Sequence, residues 1–136
     1  MNNDELNGRY VLVHPALWDD PAEKNGEIGM ITENNLDDDI IKLRFNDEKH
    51  AFYASNALLV FQPSDNLYET LKQNATLLSA QNFKDLKSVA LLLDYGRPEQ
   101  TKAAMGLVLQ NPDLLEMSMV SLEDSFVLTN RRQIGR

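Results

Sequence analysis

The chain has 136 residues, close to the usual size of a single domain, and it contains no cysteine. Disulfides and zinc–thiolate sites are therefore excluded, and the two histidines are too few for most metal sites built from imidazoles alone. The net charge is −8, and residues 1–63 carry 12 acidic and 5 basic side chains. Nonspecific affinity for nucleic acid comes from cationic contacts that release counterions, so this excess of acids disfavours nucleic acid as a partner.

The sequence shows neither a signal peptide nor a membrane span. Its first residues lack a basic segment followed by an apolar one, and no apolar run approaches the length of a bilayer crossing. We therefore expect a cytoplasmic protein without membrane association. Two independent domains of about 65 residues would each be marginal without disulfides or metals, so we expect the two halves of the chain to share one interior.

Short strands are predicted in the first half of the chain, where apolar residues often recur at every second position and the breaks fall at Gly, Pro, Asn and Asp. The predicted strands cover residues 9–14, 26–32, 40–45 and 51–53 continued by 58–61. In the third strand Phe45 belongs to the apolar face and Lys42 to the polar face, so Phe45 is predicted to lie in the core. Gly29, inside the second strand, predicts a sharp bend or the close approach of another backbone.

Several short motifs in this half have the spacing of a small β-barrel. They are an opening Gly8-Arg9-Tyr10-Val11-Leu12-Val13, a bend Gly26-x-x-Gly29-x-Ile31, a strand Leu43-x-Phe45 and a closing Tyr53-x-x-x-x-Leu58. Over about the first 62 residues the chain resembles SH3-like barrels of the KOW or Tudor type. The resemblance implies a module that binds and does not catalyse, and KOW barrels commonly bind RNA or the transcription and translation machinery. The acidity of this region departs from the basic KOW pattern.

Beyond Pro63 the apolar spacing changes to three or four residues, which predicts helices. The first helix begins at Ser64, where the hydroxyl can cap it and Asp65 favours the helix dipole. The second begins near Asn82 as its N-cap, and the third covers residues 98–110 with proline in its first turn.

The end of the helical half allows two interpretations. A fourth helix opens at Asn111-Pro112 and continues through Phe126, or Ser121 caps a separate last helix. The predicted fold class is α+β, and its parts are an SH3-like β-barrel over residues 1–62, a helical bundle or cap of about three to five helices packed on the barrel over residues 63–130, and a flexible basic tail over residues 131–136.

No arrangement of residues in the sequence indicates catalysis or a cofactor. The serines lie in capping, turn or helical contexts without a nucleophile-elbow pattern, and no phosphate-binding loop is present. Barrel closure could bring His14 and His50 together with an acid as a metal site, but two histidines in water or bonded to backbone are the commoner arrangement. The run Asp37-Asp38-Asp39 lacks the alternation and the glycine of a calcium loop. We therefore predict a protein that is not an enzyme and holds no metal or cofactor.

Two segments are candidates for partner binding. Trp18 is the only tryptophan and is followed by Asp19 and Asp20, a combination that suits a basic or proline-rich peptide. The alternative is that Trp18 plugs the barrel end or packs on the helices. Arg131 and Arg132 of the tail form the second candidate. The helical half also has more apolar surface than one face of each helix needs, which favours either core packing or a homo-oligomer.

The sequence therefore predicts a noncatalytic protein–protein interaction or adaptor protein that docks through an acidic barrel face. One alternative is a regulator bound to the transcription or translation machinery, which the KOW resemblance implies. Another is an acidic inhibitor or immunity protein that masks a basic toxin surface.

Overall fold

The computed structural model describes residues 5–17, 20 and 22–126. The described chain divides into two compact units, of which the first takes in the described residues up to 60 together with 120–126, and the second comprises residues 61–119. Six strands are present in the described part, namely β1 Tyr10–Val13, β2 Ile28–Asn35, β3 Ile40–Arg44, β4 His50–Tyr53, β5 Leu58–Phe61 and β6 Met119–Ser121. They form one open sheet in the order β4-β3-β2-β1-β5-β6.

The predicted fold class is wrong. We expected an SH3-like barrel over residues 1–62 followed by a purely helical region, whereas the structure is a mixed α/β fold with an open sheet. Strand β6 follows the helices in the chain and joins the sheet beside β5. A strand of three residues is too short to show a period of two, so Met119 and Val120 fit the helical spacing that precedes them equally well.

Side chains alternate between the two faces of a sheet, and Leu12 and Leu59 are buried on one face of β1 and β5. The main core cluster of the first unit lies on the opposite face. Phe45 is only 3% exposed there, which confirms its predicted core position. The buried apolar residues of this cluster are Leu6, Val11, Val13, Ile31, Ile41, Leu43, Phe45, Tyr53, Leu58 and Leu122.

Position 29 requires a residue without a side chain, because two core side chains fill the space beside it. A Cβ atom at this position would lie 3.0 Å from Cε1 of Phe45 and 3.1 Å from Cδ1 of Leu43. The predicted close approach is therefore made by core side chains and not by another backbone.

Replacing Gly29 by alanine is expected to lower the free energy of unfolding by about 1 to 3 kcal/mol, because the added methyl group overpacks the core. Gly106 is the matched control, since a Cβ there meets no atom of the described residues within 4 Å and the position is helical. Gly106→Ala is expected to raise the free energy of unfolding by up to about 1 kcal/mol. Urea denaturation followed by circular dichroism measures both, and a neutral Gly29→Ala would contradict the packing described.

Four helices make up the described second unit, namely α1 Ser64–Gln73, α2 Ala80–Tyr95, α3 Pro98–Gln110 and α4 Leu114–Ser118. The predicted bounds of α3 are confirmed. The predicted cap of α2 is wrong, because the hydroxyl of Ser79 accepts the Asn82 N–H at 3.0 Å and the helix begins earlier. Gly96 ends α2 with a φ of 71°, a conformation that glycine adopts without strain.

The helices of this unit bury one face each and are linked by side-chain hydrogen bonds. The Ser64 and Tyr68 hydroxyls of α1 both donate to Asp94 of α2, each at 2.6 Å. The buried residues of the four helices are Leu67, Leu71, Leu86, Val89, Ala90, Ala104, Met105, Val108, Leu114 and Ser118. Across the part of the chain that the structure describes, no helix is both long enough and apolar enough to cross a membrane.

The end of the described chain follows the second of the two predicted interpretations. Residues 122–126 are helical, and the Ser121 hydroxyl accepts the Asp124 N–H at 3.0 Å as a cap. Strand β6 separates this turn of helix from α4, which neither interpretation included.

Candidate functional site

Strand β4 lies at one end of the sheet order, and among the described residues it pairs with β3 alone. An edge strand presents a row of backbone N–H and C=O groups that another chain can bind. The β3–β4 pairs in register are Ile41 with Tyr53, Lys42 with Phe52, Leu43 with Ala51 and Arg44 with His50.

The turn before β4 determines which of its backbone groups face outward. Phe45 N–H donates to the Lys49 carbonyl at 2.9 Å, so this pair closes the hairpin with a hydrogen bond. In an antiparallel ladder, pairs that exchange hydrogen bonds alternate with pairs that do not. Ala51 and Tyr53 therefore bond to β3, and the N–H and C=O groups of His50 and Phe52 point toward the open edge.

A cleft of about 220 Å³ lies on the outer face of the sheet beside β4. We call it the outer-face cleft. Two of its lining side chains are large, apolar and exposed, Phe52 at 65% and Ile40 at 43%. Its lining residues are Asn7, Glu33, Asn34, Asn35, Ile40, Lys42 and Phe52.

A β-bulge in β2 shapes this cleft. The β2–β3 register shifts between Ile31 and Glu33, so Thr32 is an additional residue in β2. As a result Glu33 lies opposite Lys42 on the outer face, while Asn34 turns inward and is buried. The Asn34 amide donates to the Asn7 side-chain oxygen at 3.0 Å, and both residues line the cleft.

The outer face of β3 beside the edge is cationic, although the unit as a whole is acidic. Lys42 Nζ lies 5.8 Å from the centre of the Phe52 ring, within the range of a cation–π contact. Arg44 lies opposite His50, and both are exposed. Glu33 is the acid among the residues that line the cleft.

Of the predicted partner-binding residues, Asp20 lies within the described residues, and Trp18, Asp19, Arg131 and Arg132 lie outside them. The Asp20 carboxylate accepts the backbone N–H groups of Ala22 and Lys24, each at 2.9 Å. It also accepts the Tyr53 hydroxyl at 2.9 Å. Asp20 thus ties its loop to the last residue of β4, and this role was not predicted.

Tyr53→Phe is expected to lower the free energy of unfolding by about 1 to 2 kcal/mol at neutral pH, because it removes a hydrogen bond to a carboxylate. Burial, and then the hydrogen bond to Asp20, raises the pKa of the Tyr53 hydroxyl above its usual value. The neutral phenol is therefore favoured in the folded chain, and its contribution is present below about pH 10 and lost above it. The stability difference between the two proteins in urea denaturation should hold up to about pH 9 and shrink as the pH rises above about 10. A constant difference would contradict this role for the hydroxyl.

The two histidines do not form a joint site in this sheet. His14 follows β1 and His50 begins β4, with β2 and β3 between those strands. The His14 Nδ1 accepts the Ala16 N–H at 3.0 Å, which is a local turn contact. Within residues 5–17, 20 and 22–126, no group of three or more His, Asp or Glu side chains could hold a metal ion.

A second, polar cleft of about 340 Å³ lies in the helical unit, between the start of α2 and the end of α3. The Asn111 amide donates to the side chains of Asn82 at 2.8 Å and Asp85 at 2.9 Å. Asn82 in turn donates to Asp113 at 3.3 Å. These groups bond to one another and join the two helices, so the cleft is explained by packing of the unit.

Sequence reasoning did not single out Phe52 or Ile40. A signal was present, since Phe52 belongs to the face of β4 that pairs with Lys42 and Arg44, and a large apolar residue on a polar face is unusual. The arrangement offers backbone donors and acceptors at an edge, an aromatic ring and a cleft beside them, and these are groups that can bind another chain.

Comparison of the chain with protein-family models, with curated proteins and with solved structures finds no match.

Proposed function

We propose that this protein is a noncatalytic, cytoplasmic interaction protein that binds an extended segment of a protein partner along strand β4. The open edge of β4 next to the exposed Phe52 ring is the observation that carries the proposal. In strand addition, backbone hydrogen bonds supply affinity and pockets for alternate side chains supply specificity. Both elements are present beside β4.

The length of β4 sets the expected affinity. The strand has four residues, and only His50 and Phe52 direct backbone groups outward, so a bound strand gains up to about four hydrogen bonds. At about 0.5 to 1.5 kcal/mol each, four such bonds supply about 2 to 6 kcal/mol, against a cost of association of at least about 4 kcal/mol. Burial of an aromatic side chain adds about 1.5 to 3 kcal/mol. The net gain is therefore at most about 5 kcal/mol, so we expect a Kd of about 0.2 mM or weaker, with the contact on Phe52 decisive.

The cleft explains why the partner is expected to be extended and not helical. Ile40 and Phe52 lie on neighbouring strands of the outer face, and Lys42, two residues after Ile40 on β3, pairs directly with Phe52. A strand added at the edge continues this face, and every second side chain of it lies beside Phe52. An extended segment therefore uses the backbone groups and the ring together.

The proposal is tested with peptides selected from a random ten-residue library displayed on phage, using the full chain as target. Backbone NMR titration of the selected peptides should shift the amide signals of His50 and Phe52 and of the facing residues of β3. N-methylation should abolish binding when it is placed on one alternating set of peptide residues, odd or even, and leave it intact on the other set. The reason is that only one set directs its N–H groups to β4. Selected peptides that leave the β4 signals unchanged, or tolerate N-methylation on both sets, would overturn the proposal.

A further inference from the structure

We infer that the segment bound along β4 is acidic, with carboxylate side chains alternating along its outer face with apolar ones. This inference rests on the proposed function, since it specifies the chemistry of the partner for the same strand. It departs from the overall charge of the chain, which favours a basic partner.

The charges beside the edge carry the inference. The outward side chains of β3 include Lys42 and Arg44. Over the described residues, the Arg44 side chain forms no salt bridge. Lys42 contacts the Phe52 ring, so its ammonium group is held over the position that an added strand would face.

The acids of the same region are less accessible to a bound strand or more distant from it. Asp47, in the turn before β4, is paired with Lys24 and also accepts the Lys49 N–H at 3.0 Å. Glu48 is exposed in that turn, outside the strand. Glu33 is on β2, two strands away from β4 in the sheet order. Basic side chains therefore predominate on β3, one strand from the edge.

Side-chain reach makes these cations available to a bound segment. Strands are spaced about 4.8 Å apart, so an added strand lies about 10 Å from β3. Lys and Arg extend their charged ends over neighbouring residues while their stems stay on apolar surface. A carboxylate of the bound segment opposite His50 is thus within reach of Arg44. An apolar side chain opposite Phe52 contacts the Phe52 ring.

The acidic charge of the rest of the unit does not cancel this local preference. At physiological ionic strength the Debye length is about 8 Å, so exposed charges farther away than that are largely screened. Because the Arg44 and Lys42 side chains extend toward the edge, their charged groups can approach a carboxylate of the bound segment to less than this distance. The local cations therefore decide the charge of the partner, and the remaining acids disfavour extended polyanions such as nucleic acid.

A panel of three synthetic peptides tests the inference at 150 mM salt. The three peptides have eight residues each and differ in one residue type only. At their odd positions phenylalanine alternates with the varied residue, which is glutamate in the first peptide, lysine in the second and threonine in the third. NMR titration gives both the Kd and the location of binding. We expect the glutamate peptide to bind at least tenfold more tightly than the lysine peptide, with the threonine peptide between them.

Charge-reversal variants separate the local effect from the overall charge. Arg44→Glu should remove or reverse the preference for glutamate. Lys87→Glu makes the same change in net charge at an exposed position of α2 and should leave the preference intact.

The outcomes distinguish the inference from the proposed function. If the lysine or threonine peptide binds β4 as tightly as the glutamate peptide, the inference is overturned and the proposed function stands. If Lys87→Glu alters the preference as much as Arg44→Glu, the overall charge decides and the inference is overturned as well. If none of the peptides shifts the His50 and Phe52 signals, both are overturned.

Discussion

Replacing Phe45 by alanine is expected to lower the free energy of unfolding by about 3 to 5 kcal/mol. Phe45 is 3% exposed, and its ring fills the space that Gly29 leaves open in β2. Lys24 Nζ lies 5.3 Å from the ring centre. Removing the ring therefore leaves a cavity in the core and exposes the apolar groups that it covers.

Urea denaturation followed by circular dichroism measures this loss, and Lys42→Ala on β3, the strand that Phe45 directly follows, is its control. Lys42 points to the outer face and lies over Phe52, so its removal should change stability by about 0.5 kcal/mol or less. A loss of 3 to 5 kcal/mol can exhaust the stability of a small domain, which is about 5 to 15 kcal/mol. Phe45→Leu, expected to cost less because it fills part of the cavity, keeps the test measurable if the alanine variant does not fold. Near-neutral values for both Phe45 variants would contradict the position of β3.

Replacing Phe52 by alanine is expected to weaken the binding of peptides selected on this chain at least tenfold, which corresponds to about 1.4 kcal/mol. The ring is 65% exposed in the free chain, so the variant should fold as the original does. In the complex the ring would be covered by the added strand. Its loss removes the largest apolar contact of the bound segment and also the cation–π partner of Lys42.

Leu77→Ala is the matched control for Phe52→Ala. Leu77 is 81% exposed and follows α1, so it is also a large apolar side chain on the surface. Its replacement should leave the Kd from NMR titration unchanged. Equal affinity of the original chain and Phe52→Ala, or equal weakening by Leu77→Ala, would contradict the contact.

The parts of the fold that were predicted correctly have strong local signals. Ile41, Leu43 and Phe45 alternate with polar neighbours, and this placed the inner face of β3. Pro98 and the stop at Asn111-Pro112 predicted both bounds of α3. The separate helical turn after Ser121 was one of two alternatives, and the hydroxyl cap identifies it.

The parts that were not predicted depend on contacts distant in sequence. Strand β6 has three residues, and its position beside β5 results from pairing across the whole helical region. The strands form an open sheet in that pairing order. The spacing motifs of a small barrel do not indicate which strands pair with one another. Asn82 was predicted as the cap of α2, and Ser79, three residues earlier, is also a residue type that caps helices; the observed hydrogen bond selects Ser79.

For the candidate site, the sequence predicted only a type, a binding surface without catalytic residues. That type stays a prediction. Reasoning from the sequence favoured Trp18 and its neighbouring acids, because a lone tryptophan beside charges suggests recognition. The orientation of the β4 backbone depends on the hairpin that Phe45 and Lys49 close, and the exposure of Phe52 depends on β4 being at the edge. Neither can be derived from spacing alone.

Amide hydrogen exchange of the free chain, followed residue by residue by NMR, tests most directly whether β4 is an open edge. The account predicts rapid exchange at His50 and Phe52, whose N–H groups face solvent, and slow exchange at Ala51 and Tyr53, whose N–H groups bond to β3. Equal, strong protection of all four amides would mean that the outer side of β4 is already covered, and it would contradict the binding mode proposed for this protein.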